Sequence, residues 1–263
     1  MIMRRLFTLT ILLLLAVGNS VGQFRLGFET GAVFNGYNHL RIPSNTGTYL
    51  SLTREMEGRP SFHYRFDAEY TIKQRHHILL LYAPLTMKYK GTIDRQVIYT
   101  DRVFEPNTPL RAEYKFNSYR LTYRYDIVHR PRLEFALGLS LKIRDAAISL
   151  SSDEQYGRKK NLGIVPLINF NLWWHFYDDF GLLFQGDALA AKQGRAEDLL
   201  LSLTYLPTER VRLNLGYRML EGGGDSKEVY TFSMFNYAVV GISYTFGKGS
   251  PPIVSKAHRD NPK

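Results

Sequence analysis

Residues 229–246 read VYTFSMFNYAVVGISYTF, and this stretch decides the fold because apolar and polar residues alternate along it. Successive side chains of a β-strand point to opposite faces, so a period of two predicts a strand with one apolar face and one polar face. The stretch is also longer than the roughly 9–11 residues that a strand needs to cross a membrane. The apolar face carries Tyr230, Phe232, Met234, Ala238, Val240, Ile242, Tyr244 and Phe246.

The same alternation recurs upstream, in Ser61–Ile72, Leu133–Arg144 and Val211–Leu220. An amphipathic helix would place apolar residues at i, i+3, i+4 and i+7, and these segments do not. Strands of soluble sandwiches are typically about 5–6 residues long, which is shorter than these runs. The pattern therefore predicts an all-β fold, a transmembrane antiparallel up-and-down β-barrel. A soluble all-β protein is the alternative.

Ten candidate strands follow one another at residues 24–41, 60–73, 77–90, 112–128, 132–150, 161–177, 180–192, 197–206, 210–221 and 229–246. The connections alternate between short and long, which is typical of bacterial barrels with short periplasmic turns and longer outer loops. The loop Gln193–Ala196 is short where a long one is expected, so a barrel of eight strands is the alternative. An even number of strands places both termini on the periplasmic side.

The N-terminus has the pattern of a secretory signal peptide. Arg4 and Arg5 precede the apolar run Leu6–Val17, and small residues follow at 20–22. The apolar run is shorter than the roughly 17–25 residues of a membrane-spanning helix. Because a signal peptide directs export, the barrel pattern predicts localisation in the cell outer membrane. We expect a cleaved signal peptide, a barrel and a short disordered periplasmic tail, at residues 1–22, 23–246 and 247–263.

The end of the last strand, residues 241–246, resembles the C-terminal insertion signal of Gram-negative outer-membrane proteins. In that family a glycine and two spacer residues precede aromatic residues at alternate positions, which Gly241, Tyr244 and Phe246 match. The resemblance implies recognition by the barrel-assembly machinery. The chain departs from that pattern at two places: the family prefers a polar residue where Val239 stands, and a tail follows Phe246 although the signal usually closes the chain.

A second resemblance covers about the last two strands. Residues 216–225, GYRMLEGGGD, resemble the last hairpin of a group of uncharacterised small outer-membrane proteins. The resemblance identifies a small Gram-negative outer-membrane β-barrel family and implies no known activity. It also implies outer-membrane lipid and lipopolysaccharide as the surroundings of the protein.

Composition narrows the classes of partner. The chain has no cysteine, which excludes disulfides, thiol chemistry and cysteine-ligated zinc. A formal charge of +10 ordinarily suggests nucleic acid, but the export signal argues against that partner. The charges also lie at strand spacing rather than in basic runs. We therefore expect no nucleic acid, no cofactor and no metal, and leave open an extracellular ligand.

Charged residues on the polar faces are predicted to line the lumen. Side chains fill an eight-stranded barrel, whereas an open channel takes about sixteen strands. The leading hypothesis is therefore an ion network that fills the lumen, and the alternative is a narrow anion-preferring channel, since basic residues outnumber acidic ones. The predicted network is Arg65, Asp67, Glu69, Arg120, Arg124, Asp126, Glu134, Lys142, Arg144, Asp187, Arg212 and Arg218. Arg25, Glu29 and Lys88 are predicted in or near the lumen as well.

Outer-membrane hydrolases, lipid A deacylase-like or omptin-like, are a further alternative. A general base requires a histidine within hydrogen-bond reach of its nucleophile or water. His39 is the histidine predicted near the outer rim, and no His-x-Ser signature accompanies it. The sequence therefore favours a non-enzymatic protein with a structural, adhesion or interaction role in the envelope.

Overall fold

The computed structural model describes residues 22–192 and 194–247. The predicted signal peptide up to Val21 and the predicted tail after Gly247 lie outside the described residues. The last strand ends at Phe246, as the alternation predicts. Among the described residues, no helix is long and apolar enough to cross a membrane.

The chain forms strands along nearly its whole described length. The elements are β1 Gln23–Arg41, β2 Leu50–Ser51, α1 Leu52–Glu55, β3 Glu57–Gly58, β4 Ser61–Ile72, β5 His76–Ala83, β6 Thr86–Thr92, β7 Val97–Tyr99, β8 Arg102–Phe104, β9 Pro109–Arg130, β10 Leu133–Ser151, β11 Tyr156–Tyr177, β12 Phe180–Ala191, β13 Gly194–Tyr205, β14 Val211–Asp225 and β15 Tyr230–Phe246.

The long strands close into an antiparallel barrel of ten strands. Each barrel strand pairs with its neighbour along the chain, and β5 and β6 together occupy one position beside β9. The seam is the pairing of β1 with β15, which runs from Phe24 opposite Phe246 to Arg41 opposite Tyr230. The prediction of ten strands is therefore confirmed, and the alternative of eight is wrong.

Two predicted loops are folded rather than irregular. The connection after β1 contains β2, α1 and β3, and the predicted loop 91–111 contains the β7–β8 hairpin and the start of β9. We call residues 42–60 and 91–108 the cap. The amide of Thr48 donates to the carbonyl of Ile98 over 2.9 Å, and that of Thr100 donates to Ile42 over 2.9 Å. These bonds join the two parts of the cap.

The outward face of the barrel carries an apolar belt. Leu162 is 74% exposed and Ile164 67% exposed, and such large exposed apolar surfaces mark contact with a membrane or a partner. Aromatic rings border the belt near the short turns, as in membrane barrels, where they lie at the interface. They are Phe24, Tyr125, Trp174, Phe180, Tyr205, Tyr244 and Phe246. The belt fits the barrel to a lipid bilayer.

The interior has an apolar layer at the long-loop end. There Val33, Leu40 and Phe235 of the barrel wall pack with cap residues such as Leu52. The hydroxyl of Tyr99, in the cap, donates to the carbonyl of Ile148 on β10 over 2.8 Å, and burial raises the pKa of that hydroxyl. The cap is thus bonded to the opposite barrel wall and folded over the lumen.

Candidate functional site: the lumen and a cavity beneath the cap

The middle of the lumen is crossed by ion pairs that converge on Asp198. This carboxylate, on β13, is 2% exposed and accepts hydrogen bonds from three arginines. Its oxygens lie 3.0 Å from Nη1 of Arg65 and 2.6 Å from Nη1 of Arg218, and the third donor is Arg120. The arginines come from β4, β14 and β9, so the ion pairs connect different walls of the barrel.

Each of the three arginines has a second carboxylate partner, and that of Arg65 is Glu29, at 3.8 Å from its Nε. Nη1 of Arg120 lies 2.6 Å from Asp187, on β12. Arg218 donates to both oxygens of Glu29, on β1, over 2.9 Å and 2.7 Å. Three arginines thus balance three carboxylates in what we call the central network, which consists of Glu29, Arg65, Arg120, Asp187, Asp198 and Arg218. Such mutual neutralisation is what permits charges to be buried.

A second set of ion pairs, the turn-end network, lies nearer the short turns. Glu69 accepts from Arg25 over 2.6 Å and from Arg124 over 3.0 Å. His77 joins this carboxylate to Asp126, since its Nδ1 lies 2.7 Å from Glu69 and its Nε2 lies 3.0 Å from Asp126. The two networks together occupy the lumen beneath the cap.

The predicted lumen residues fall into two groups in the structure. Eight of them form carboxylate–cation pairs in the two networks: Arg65, Asp67, Glu69, Arg120, Arg124, Asp126, Asp187 and Arg218. The other four point inward with different partners. Glu134 lies 4.0 Å from His129, and Arg212 lies over the ring of Trp173. Lys142 and Arg144 face the cavity described below.

The prediction that Lys88 points into the lumen is wrong. Lys88 is exposed on the outward face of β6, opposite Glu113, whereas Met87 and Tyr89 on either side of it are buried. The reason is that β6 pairs with the part of β9 beyond the apolar belt. There the outward face meets water, so a charge on it is solvated.

Three lumen residues are absent from the predicted set, namely Asp198 and the histidines His63 and His77. Alternation could have found Asp198, because Leu199, Leu201 and Leu203 face outward on the same strand and Asp198 has the opposite parity. Nothing in the sequence shows that three arginines from other strands meet this carboxylate.

His39 lies on the outside of the barrel wall. Its ring packs against the rings of Tyr37 and Tyr49, with centroids 5.3 Å and 5.6 Å away. Within the part of the chain that the structure describes, no Asp or Glu forms an ion pair with His39. The ring contacts make His39 part of an aromatic patch at the rim.

The residues of the predicted assembly signal lie in the seam strand. On β15, Gly241 pairs with Glu29, Tyr244 with Leu26 and Phe246 with Phe24. The rings of Tyr244 and Phe246 are in edge contact, with centroids 4.6 Å apart. Their recognition by the assembly machinery remains a prediction.

A cavity of about 550 Å³ lies at the long-loop end of the barrel, lined by residues of β9–β15, by the β14–β15 loop and by Ile42 of the cap. Apolar side chains such as Ile148, Leu189 and Phe235 line it, and the cations Lys142 and Arg144 face into it. A cavity of about 90 Å³ remains among the charged networks below. The larger cavity therefore belongs to the long-loop end of the barrel and is separated from the short-turn end by the networks.

The barrel wall has a gap beside this cavity. Strand β11 pairs with β12 only as far as Ile168 opposite Ala188, while residues 156–167 pair with β10 alone among the described strands. The β12–β13 hairpin turns back between Ala191 and Gly194, so it does not reach the upper part of β11. We call the opening between β11 residues 156–167 and this hairpin the side window.

No family model and no curated protein matches the sequence. Among solved structures, the outer membrane protease OmpT from Escherichia coli is similar in fold, with a TM-score of 0.54 and 11% identity over 85% of this chain and 97% of that chain. Ail, the attachment invasion locus protein of Yersinia pestis, has a TM-score of 0.37 and 9% identity over 85% and 99% of the two chains.

At such low identity the similarity to OmpT concerns the fold alone. It agrees with two observations made on this chain, namely closure of ten antiparallel strands and an outward apolar belt around a charged lumen. An apolar belt outside and a polar interior are the distinguishing properties of transmembrane barrels. The chain is therefore a β-barrel protein of the outer-membrane type, and its belt fits it to the outer membrane.

Proposed function

We propose that this protein is a closed, non-enzymatic barrel of the cell envelope whose capped outer end interacts with envelope lipid or an external ligand. The observation that carries the proposal is Asp198, which binds Arg65, Arg120 and Arg218 across the lumen. Long loops of bacterial barrels face the cell exterior, so the cap is the part presented outward. Lipopolysaccharide and phospholipid are the partners expected around the belt.

Charge balance supports a closed barrel over an anion-preferring channel. The central network holds three arginines and three carboxylates, so the charges within it cancel. A selective pore would need charges that attract an ion and release it again. Here the guanidinium groups are occupied by carboxylates from other strands.

The surroundings of His39 support a non-enzymatic role. A hydrolase of this architecture needs a histidine in hydrogen-bond reach of a nucleophile or water, oriented by a carboxylate. His39 instead packs between aromatic rings, and His77 has a carboxylate oxygen within 3.0 Å of each ring nitrogen in the lumen.

Planar-bilayer recording of the refolded protein tests the proposal. We expect no steady conductance from the wild type. The matched variant replaces Arg65, Arg120, Asp198 and Arg218 by alanine and removes the residues 91–108 of the cap, and it should conduct if it inserts. Steady, selective current through the wild type would show that the lumen is a channel and would overturn the proposal.

A further inference from the structure

The side window leads from the membrane-facing surface into the cavity beneath the cap. Leu162 and Ile164, on its β11 edge, are among the most exposed apolar residues of the belt. The cavity reaches the same strand, since Ile164 and Pro166 line it. Pro166 has no amide hydrogen to donate, which suits an edge that no strand covers. The end of the opening at Ile164 and Pro166 therefore borders the apolar belt, whereas Arg158 and Lys160, farther along the same face of β11, lie beyond it.

Several small residues line the cavity beside the window. Leu189, Ala191 and Ala196 of the β12–β13 hairpin line the cavity, and so do residues 222–224, which are three glycines. Alanine and glycine side chains leave space in this part of the cavity. The loop between β12 and β13 is the outer loop that is unexpectedly short in the sequence.

Near the rim of the window, charged side chains form two ion pairs. Nζ of Lys159 lies 2.7 Å from Glu228, and this hydrogen bond lowers the pKa of the Glu228 carboxyl. Arg195 donates to Glu221 over 2.6 Å. The remaining acidic residue of the cavity, Asp225, lies at the end of β14 and accepts a hydrogen bond from Ser44 over 3.2 Å.

Deeper in the cavity, two cations have no carboxylate partner among the described residues. Lys142 is 3% exposed, and its ammonium lies 4.6 Å from the ring centre of Phe116. Arg144 donates to the side-chain oxygen of Asn161 over 2.6 Å, while its Nε is buried without a hydrogen-bond partner. A buried cation that no carboxylate contacts directly is costly, so an anion that reaches Lys142 and the half-buried Arg144 is bound favourably.

We infer that the cavity binds a single-chain anionic amphiphile, which enters through the side window from the outer leaflet. The carboxylate or phosphate head pairs with Lys142 and Arg144, and the alkyl chain lies against Phe235, Leu189 and Ile164 at the window. The cavity volume lies within the range of about 300–1,000 Å³ found for small-molecule sites. The inference rests on the proposed function, because it requires the networks below to keep the lumen closed.

Equilibrium binding to the full-length mature protein in phospholipid nanodiscs tests the inference, with radiolabelled dodecanoate as the probe. We expect saturable binding at one site per chain. Dodecyl phosphate should compete with similar affinity, since either head pairs with the two cations. Dodecanol, dodecyltrimethylammonium, acetate and inorganic phosphate should each compete at least about tenfold less well, because each lacks the charge or the chain.

Matched variants locate the site. Lys142→Met and Arg144→Gln should each weaken dodecanoate binding about tenfold, whereas Lys160→Gln, on the outward face of β11, should leave it unchanged. Ala196→Trp fills the window side of the cavity and should abolish binding. Ala190→Trp, which faces outward on the same hairpin, is its control.

Equal binding of dodecanol or of the trimethylammonium compound would overturn the inference, and so would wild-type affinity in both Lys142→Met and Arg144→Gln. Inorganic phosphate binding as tightly as dodecyl phosphate would show a plain anion site and would equally overturn it. Failure of the proposed function is seen separately as wild-type conductance. Silent bilayers combined with unselective binding would contradict the inference alone.

Discussion

Asp198 illustrates how one residue sets the character of the lumen. Its carboxylate is reached by arginines from β4, β9 and β14, and each of these strands contributes one side of the barrel interior. Burying three guanidinium groups is tolerable because each has a carboxylate within hydrogen-bond distance. Loss of this one negative charge would affect all three arginines at once.

We expect Asp198→Asn to destabilise the folded barrel by about 3–5 kcal/mol, the range for breaking a buried ion pair by removing one partner. Asp145→Asn is the control, because Asp145 pairs with Lys115 on the outward face and is 36% exposed. An exposed pair contributes about 0–1 kcal/mol. Urea unfolding in phospholipid vesicles, followed by tryptophan fluorescence, measures both. Similar losses for the two variants would show that the network contributes little.

Gly31 is a second position where one residue decides the outcome, because it lies in the seam between β1 and β15. A Cβ atom there would lie 1.9 Å from the carbonyl oxygen of Ala238. We expect Gly31→Ala to cost about 1–3 kcal/mol through overpacking, measured by the same urea titration. At Gly163, by contrast, the nearest atom would be the end of the flexible Arg144 side chain, 3.3 Å away. Gly163→Ala should therefore be nearly neutral; an equal loss there would contradict the steric explanation.

At the scale of elements, alternation explains why the strands could be predicted and the cap could not. On β9 and β10 one face meets lipid and the other the lumen, so the period of two is visible in the sequence. The cap elements are short: β7 and β8 have three residues each, too few to show a period. Their burial depends on contacts with distant strands, such as the bond from Tyr99 to Ile148.

The β7–β8 hairpin offers a test of how the cap is held. Tyr99 is 1% exposed, whereas Ile98, beside it on the same strand, is 37% exposed. Truncating a buried aromatic residue costs about 3–5 kcal/mol, so Tyr99→Ala should loosen the cap and speed proteolysis within residues 91–108. Ile98→Ala should leave cleavage near the wild-type rate. Equal protection of both variants would mean that Tyr99 does not anchor the cap.

Strand register explains the part of the candidate site that the sequence left unpredicted. The length of the loop after β12 could be read from the sequence, and its shortness stood out against the alternating pattern. The side window that results from this short loop could not be predicted. It follows from the pairing, which shows that residues 156–167 of β11 extend beyond the end of β12. Likewise, alternation placed Lys142 and Arg144 inward, but only the pairing shows that they face a cavity rather than the carboxylates.

At the scale of the whole molecule, two barriers lie in series along the barrel axis. The cap closes the long-loop end with an apolar core, and the two ion networks close the middle and the short-turn end. The barriers differ in chemistry, so each can be removed separately. Removing either the cap or the central network alone tests whether the other barrier keeps the lumen closed.

We expect removal of residues 91–108 alone to leave the bilayer silent, because the central network still spans the lumen. Replacing Arg65, Arg120, Asp198 and Arg218 by alanine while keeping the cap should also give little current. Only the combination should conduct, and single-channel recording distinguishes the three cases. Conductance from the cap deletion alone would show that the ion pairs permit ion flow.

The seam between β1 and β15 has a consequence for how the barrel is made. Every other barrel pairing joins strands that follow one another closely along the chain, whereas the seam joins the first to the last. Contacts between residues far apart in sequence carry the largest loop-closure entropy and form late. Pairings between neighbouring strands can therefore form early in folding, while the edges of β1 and β15 stay free until these two strands meet. During this interval the open sheet has two free edges and is most exposed to mispairing, and closure of the seam removes both edges.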